Sequence, residues 1–163
     1  MTGDALAAGA GAALSRDEVA RRITDAYEGV VPVPSWGETS FFYNPGRAFT
    51  RGAYFCTLKD HDGENDRASA LDRPGVYRLA FGVPPSTFGR LFGPRPPRPG
   101  KGGVVEGPWD FTALDRLTPH PVYAWMGWLS VLNPSARTFD LVGPLLAQAH
   151  ERARMTFEKR LRR

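Results

Sequence analysis

Between residues 93 and 108 the chain reads GPRPPRPGKGGVVEGP, in which ten of sixteen residues are glycine or proline. Proline lacks the backbone N–H and fixes φ, and glycine weakens any regular element, so this segment supports neither a helix nor an interior strand. It must be a loop, and it separates a longer N-terminal part from a shorter C-terminal one. Loops of this length are functional covers or solvated linkers, and Arg95, Arg98 and Lys101 make this one positive. Pro94 and Pro97 also stand at the spacing of a polyproline II ligand for an SH3-like partner, although a solvated linker accounts for them more simply.

On either side of the loop the apolar periodicity changes from helical to extended. Ser15-Arg16-Asp17-Glu18 is a capping box, followed by Val19, Ile23 and Tyr27 at four-residue spacing, which predicts a first helix ending near Gly29. Pro32 and Pro34 then force an extended connection. Residues 39–43 and 53–58 read as strands of a hairpin around Asn44-Pro45-Gly46, and residues 60–69 as a polar loop. Residues 76–83 form a third strand, with Tyr77, Leu79, Phe81 and Val83 on the core side; Pro84 and Pro85 open a short helix that Gly93 and Pro94 end. Beyond the loop, Asp110 caps a helical turn reaching Leu117, residues 122–132 read as the longest strand, and a last helix begins between Thr138 and Pro144. The stripe of that helix is Leu145, Leu146, Ala149, Ala153, Phe157 and Leu161. The order predicts an α+β fold, a single layer of mostly antiparallel sheet packed by helices.

Length and composition fit this outcome: 163 residues, 42% hydrophobic and 23% charged, make one globular domain. We expect residues 1–14 to be a flexible leader and residues 15–163 to form the domain. The net charge of +4 lies in residues 151–163, so the basic character belongs to one terminus and the body before it is neutral. No apolar run approaches the roughly 20 residues that a membrane-spanning helix requires. No basic residue precedes Arg16, so the charged start of a secretory signal is missing. Cys56 is the only cysteine, which excludes an intrachain disulfide and fits burial in an apolar strand. A cytoplasmic location is the expectation.

Two stretches, Leu71-Asp72-Arg73-Pro74-Gly75-Val76-Tyr77-Arg78 and Asp110-Phe111-Thr112-Ala113-Leu114-Asp115-Arg116-Leu117-Thr118-Pro119-His120-Pro121-Val122-Tyr123, closely resemble the hallmark segments of a bacterial family of unknown function. The resemblance extends through Phe42-Tyr43-Asn44-Pro45, Thr57-Leu58-Lys59-Asp60, Phe88-Gly89-Arg90-Leu91-Phe92-Gly93 and Val131-Leu132-Asn133-Pro134-Ser135, covering about residues 20–155. It implies no agreed activity. More distantly, the order of elements is similar to that of the MmcQ/YjbR-like proteins, which implies a double-wing α+β fold and binding of nucleic acid or small molecules. Where those proteins usually carry an Asn-Lys pair before the tryptophan strand, this chain has His120-Pro121-Val122-Tyr123.

Among constellations that carry chemistry, the acidic loop Asp60-His61-Asp62-Gly63-Glu64-Asn65-Asp66 alternates like a cation site but fails the calcium-loop register, with glycine at the fourth position and Leu71 at the twelfth. No metal and no cofactor are expected. Pro119-His120-Pro121 is the best candidate for a site, because two prolines fix the backbone around a residue suited to proton transfer near neutral pH. Asp110 or Asp115 would orient or partner the imidazole, Tyr123, Trp125 and Trp128 would wall a pocket, and Lys59 and Arg73 would contact an anion. The same residues also fit a braced turn, a helix cap, core tryptophans and a salt bridge. The leading expectation is a protein that binds a small organic molecule under the Gly/Pro loop, with cofactor-independent acid-base chemistry at His120. The competing expectation is a non-catalytic module that binds nucleic acid through its basic terminal helix.

Overall fold

The computed structural model describes residues 11–163. The leader expected at residues 1–14 lies, for residues 1–10, outside the described residues. Ala13 is paired with Ser135 in an isolated bridge. Leu14 gives its N–H to Pro134 O at 2.9 Å and takes the Tyr77 hydroxyl on its own carbonyl at 2.7 Å.

The elements are α1 (Arg16–Ala26), β1 (Val30–Ser35), β2 (Glu38–Tyr43), β3 (Ala53–Lys59), β4 (Arg78–Gly82), α2 (Pro85–Phe92), β5 (Leu117–Pro119), β6 (Trp128–Leu132) and α3 (Ala136–Leu161). The six strands make one sheet of order β1-β2-β3-β4-β6-β5 in which every strand pair is antiparallel, so the fold is α+β. The capping box starts α1, where Ser15 Oγ accepts the Glu18 N–H at 3.1 Å and Val19 and Ile23 face the core.

Four segments differ from the reading of the sequence, each for a local reason. The segment with Pro32 and Pro34 is a strand, paired with β2 from Val30↔Tyr43 to Ser35↔Glu38. An edge strand tolerates proline because its outward backbone needs no donor. Trp36 (φ 54) and Gly37 (φ 79) join the two strands in the left-handed turn that matches strand twist. Residues 110–116 form turns and irregular chain rather than a helix, Leu114 bridges to Leu132, and Leu117 already belongs to β5. The strand expected over residues 122–132 begins only at Trp128. Before it, a short 3-10 turn, Ala124–Met126, ends at Gly127 with φ 87, where a Cβ would stand 2.7 Å from Val83 O. The last helix starts earlier, because Ser135 caps it by accepting the Thr138 N–H at 3.2 Å, and it continues through Pro144.

Paired residues in an antiparallel sheet share a face, so the register sorts the two sides. One face carries the rows Phe41, Cys56, Phe81, Leu129 and Leu58, Leu79, Val131, Leu117. All are fully buried, in one core with Val19 and Ile23 of α1, Phe88 of α2 and Leu146 and Phe157 of α3. Each such side chain contributes about 1.5–3 kcal/mol on burial, which fixes the helices to this side. The opposite face carries Ser40, Thr57, Ala80, Ser130 and Thr118 in one row and Glu38, Lys59, Arg78 and Leu132 in the next. Near the end of the β2–β3 pair the register slips, since Phe41 faces Cys56 and Phe42 faces Tyr54. Phe55 is the extra residue of a bulge. Its ring stays against Tyr27 and His150 on the helix side, while Tyr54 projects outward with its ring 4.5 Å from that of Phe42. Among the described residues no helix is long and apolar enough to cross a membrane.

Candidate functional site

A cavity of about 840 Å³ is lined both by the polar side of the sheet and by α3, which packs on the other side. Thr57 and Lys59 of β3, Arg78 and Gly82 of β4 and Trp128 of β6 line it. The 63–66 loop, His120, Val122, Tyr123 and Met126, Glu38, residues 52–55, and Ala149, Arg152, Ala153, Thr156 and Arg160 of α3 complete the wall. Polar side chains at alternate positions of otherwise apolar strands build this face, which a two-residue period permits without disturbing the core behind it.

Its fixed part is a charge cluster. Arg78 is 2% exposed. It donates Nη1 to Asp66 Oδ1 at 3.0 Å and to Ser69 Oγ at 3.2 Å, and Nη2 to Asp66 Oδ2. Lys59 Nζ reaches the same Oδ2 at 3.1 Å. Burial alone would raise the Asp66 pKa, but the hydrogen bonds and charge of Arg78, with His120 and Lys59 adding to them, hold this carboxyl well below the carboxylate range. Buried polar atoms are normally hydrogen-bonded, yet Arg78 Nε and Ser130 Oγ, both on this face, have no hydrogen-bond partner among the described residues.

His120 is also buried, and its backbone N–H is held by Trp128 O at 2.9 Å. The chain then doubles back, so that Nδ1 accepts the N–H groups of both Val122 (3.0 Å) and Tyr123 (3.1 Å). A nitrogen that accepts two hydrogen bonds carries no proton, and the neutral ring therefore has its proton on Nε2. Burial foremost, and then the charge of Arg78, push the His120 pKa well below the usual histidine range, with Asp66 opposing in part. Tyr123 lies against the ring at 5.0 Å between centroids, and Trp128 meets it edge-on at 6.5 Å.

Of the residues singled out from the sequence, Lys59, His120, Tyr123 and Trp128 therefore line one cavity. The others lie elsewhere. Asp110 caps its own turn, accepting the Thr112 N–H at 2.9 Å and hydroxyl at 2.6 Å. Asp115, at φ 56, accepts the Ser135 N–H at 2.7 Å and so ties the entry of β5 to the start of α3. Neither aspartate lines the cavity with His120. Arg73 clasps the carbonyls of Ala70 (2.8 Å), Ser69 (3.1 Å) and Thr112 (3.0 Å), fastening two loops, while Lys59 pairs with Asp66. Trp125 stacks under the guanidinium of Arg98 at 4.6 Å. The Gly/Pro loop contributes no residue to the cavity wall. It braces the His120 segment from behind, with Val105 buried and its N–H on Pro121 O at 2.9 Å.

The sequence reading missed Arg78, Asp66, Arg152 and Arg160. A lone arginine between a tyrosine and a leucine in strand β4 was the available signal for Arg78. Its partner lies twelve residues upstream in a loop, which no periodicity could reveal. In the acidic loop, Asp60 faces His61 at 2.6 Å and Arg16 at 3.5 Å, and Asp62 accepts the Leu71 N–H at 2.8 Å. Among the described residues no group of three or more His, Cys, Asp or Glu side chains stands together as a metal site.

No curated protein and no solved structure matches the chain. A family model does match, over residues 14–162, almost the whole of the described structure, and it includes every residue of the cavity wall. The chain belongs to the family of unknown function DUF6194.

Proposed function

We propose that this protein binds a small organic molecule in the cavity lined by the polar face of its sheet and by α3. The observation that carries the reading is the fixed tautomer of His120: two backbone N–H groups occupy Nδ1, so a buried ring presents Nε2–H as a donor in a cavity-lining position. The volume of about 840 Å³ falls within the roughly 300–1,000 Å³ of ligand sites. Aromatic walls with a few convergent polar groups have the character of such sites as well.

In this reading His120 orients a ligand and does not move a proton. To accept one at Nε2, the ring would have to protonate Nδ1 against two N–H donors 3.0 and 3.1 Å away. To release one from Nε2 it would have to become an anion. Tyr123 and Trp128 pack the body of the ligand, and the Lys59–Asp66–Arg78 cluster fixes the floor.

A thermal-shift screen of small organic acids, amines and neutral compounds tests the reading. A ligand at a hundred times its Kd should raise the Tm by roughly 5–10 °C for a domain of this size. Replacement of the half-exposed Tyr123 by alanine should reduce that rise while leaving the unliganded Tm close to wild type. A screen without any saturable shift, or shifts that Tyr123→Ala and Trp128→Leu leave intact, would overturn it.

A further inference from the structure

Arg152, Thr156 and Arg160 follow one another at four-residue steps on α3, and all three line the cavity. With a rise of about 1.5 Å per residue they make a row about 12 Å long. Beside them Ala149 and Ala153, small residues that also line the cavity, keep the helix surface low, and Gly82 leaves room opposite. A Cβ on Gly82 would meet Trp128 Nε1 at 3.1 Å and an Arg152 guanidinium nitrogen at 3.3 Å.

The two arginines differ from their neighbour. Arg154 is saturated by Glu151 and Glu158, the two acids of this stretch of helix. Arg152 and Arg160 reach only backbone carbonyls, Val83 O at 3.4 Å and Gly52 O at 2.8 Å, with Arg160 also over the Phe49 ring at 4.1 Å. Among the described residues neither has a carboxylate partner. Elsewhere on the wall the balance reverses, since Glu38, Glu64 and Asp66 stand with Lys59 and Arg78. The cavity wall thus carries two arginines without carboxylate partners on α3 and a carboxylate-rich cluster around Lys59 and Arg78, with Trp128 beside Arg152.

We propose that the ligand is an organic acid, its acid group held by Arg152 and Arg160 beside the Thr156 hydroxyl and its apolar body lying along Trp128 and Tyr123. Guanidinium groups suit this task, since they remain charged and bind planar acids with two parallel hydrogen bonds. The excess of carboxylates around Lys59 and Arg78 sets the orientation by repelling the acid group. This inference rests on the small-molecule reading above and specifies the ligand class.

Two fluorescent dyes that share one ring system separate the two ideas: anilinonaphthalene sulfonate, an anion, and phenylnaphthylamine, which lacks the sulfonate. The folded protein should bind the anion about tenfold more tightly than the neutral dye, the scale of one charge-assisted hydrogen bond. The double variant Arg152→Gln/Arg160→Gln should remove that preference while leaving the neutral dye's affinity unchanged. Because Arg160 also contacts Gly52 and Phe49, the single variant Arg152→Gln, at an exposed position, guards against a folding effect and should lose part of the preference. Equal binding of both dyes by the wild type, or an anion affinity indifferent to both variants, would overturn the organic-acid inference and leave the cavity reading standing. If neither dye binds, the cavity reading falls with it.

Discussion

Asp66 neutralises an arginine that is 2% exposed and touches a lysine as well, so its removal leaves Arg78 buried without a counter-charge. Breaking a buried pair from one side is far costlier than removing both partners, and Asp66→Asn should lower unfolding stability by about 3–5 kcal/mol in denaturant titration. Arg78→Met combined with Asp66→Asn should recover much of that loss. The histidines give a second expectation at this scale. His150 is packed among Tyr27, Tyr43 and Phe55 with Nε2 buried and unpartnered, and burial lowers its pKa as it does for His120. Both rings stay neutral in the fold while their unfolded counterparts take up protons near pH 6.5. The unfolded chain therefore binds more protons, and stability is complete above pH 6.5 and declines as pH falls below it. Asp66 acts in a lower window, its contribution being present above about pH 3.8 and lost on further acidification. Urea midpoints flat between pH 7 and pH 5 would contradict this account of the histidines. The pairing behind these electrostatics was not legible in the sequence, where His120 stood out by its flanking prolines, Arg78 only as a lone arginine in an apolar strand and Asp66 only as one acid of a polar loop.

At the scale of elements the sequence was more informative wherever a local rule acted alone. The capping box placed α1, the Asn44-Pro45-Gly46 turn placed the β2–β3 hairpin, and the alternation of residues 76–83 identified the core face of β4. Reading failed where one local signal hid another. A continuous apolar run over residues 122–132 concealed the left-handed turn at Gly127, and β5, three residues long, is too short for any period. Two prolines masked β1, although they suit it, because they leave an open sheet edge with few donors for another chain. Ser135 is the clearest case of a missed local signal, since it sits before α3 as serine sits before α1. It caps α3 while its own N–H is held by Asp115. Ser135→Ala should cost about 1–2 kcal/mol of stability by thermal or denaturant unfolding, and an unchanged midpoint would deny the cap its role.

For the whole molecule, the decisive arrangement is a sheet with two different faces. One holds the core and all three helices; the other is lined by serine, threonine and a buried ion cluster, with α3 bringing two arginines to the cavity wall. The terminal excess of positive charge thereby divides, with Arg152 and Arg160 at the cavity and Arg154 engaged by its own helix. The most direct test is a nitrogen-edited NMR titration of the histidine side chains and backbone amides with anilinonaphthalene sulfonate. At neutral pH, His120 should show a protonated Nε2 and an unprotonated Nδ1. Added ligand should then produce saturable shifts at His120 Nε2, Tyr123, Thr57 and the Trp128 indole. A proton on Nδ1, or saturable binding that leaves those four residues unmoved, would contradict the account.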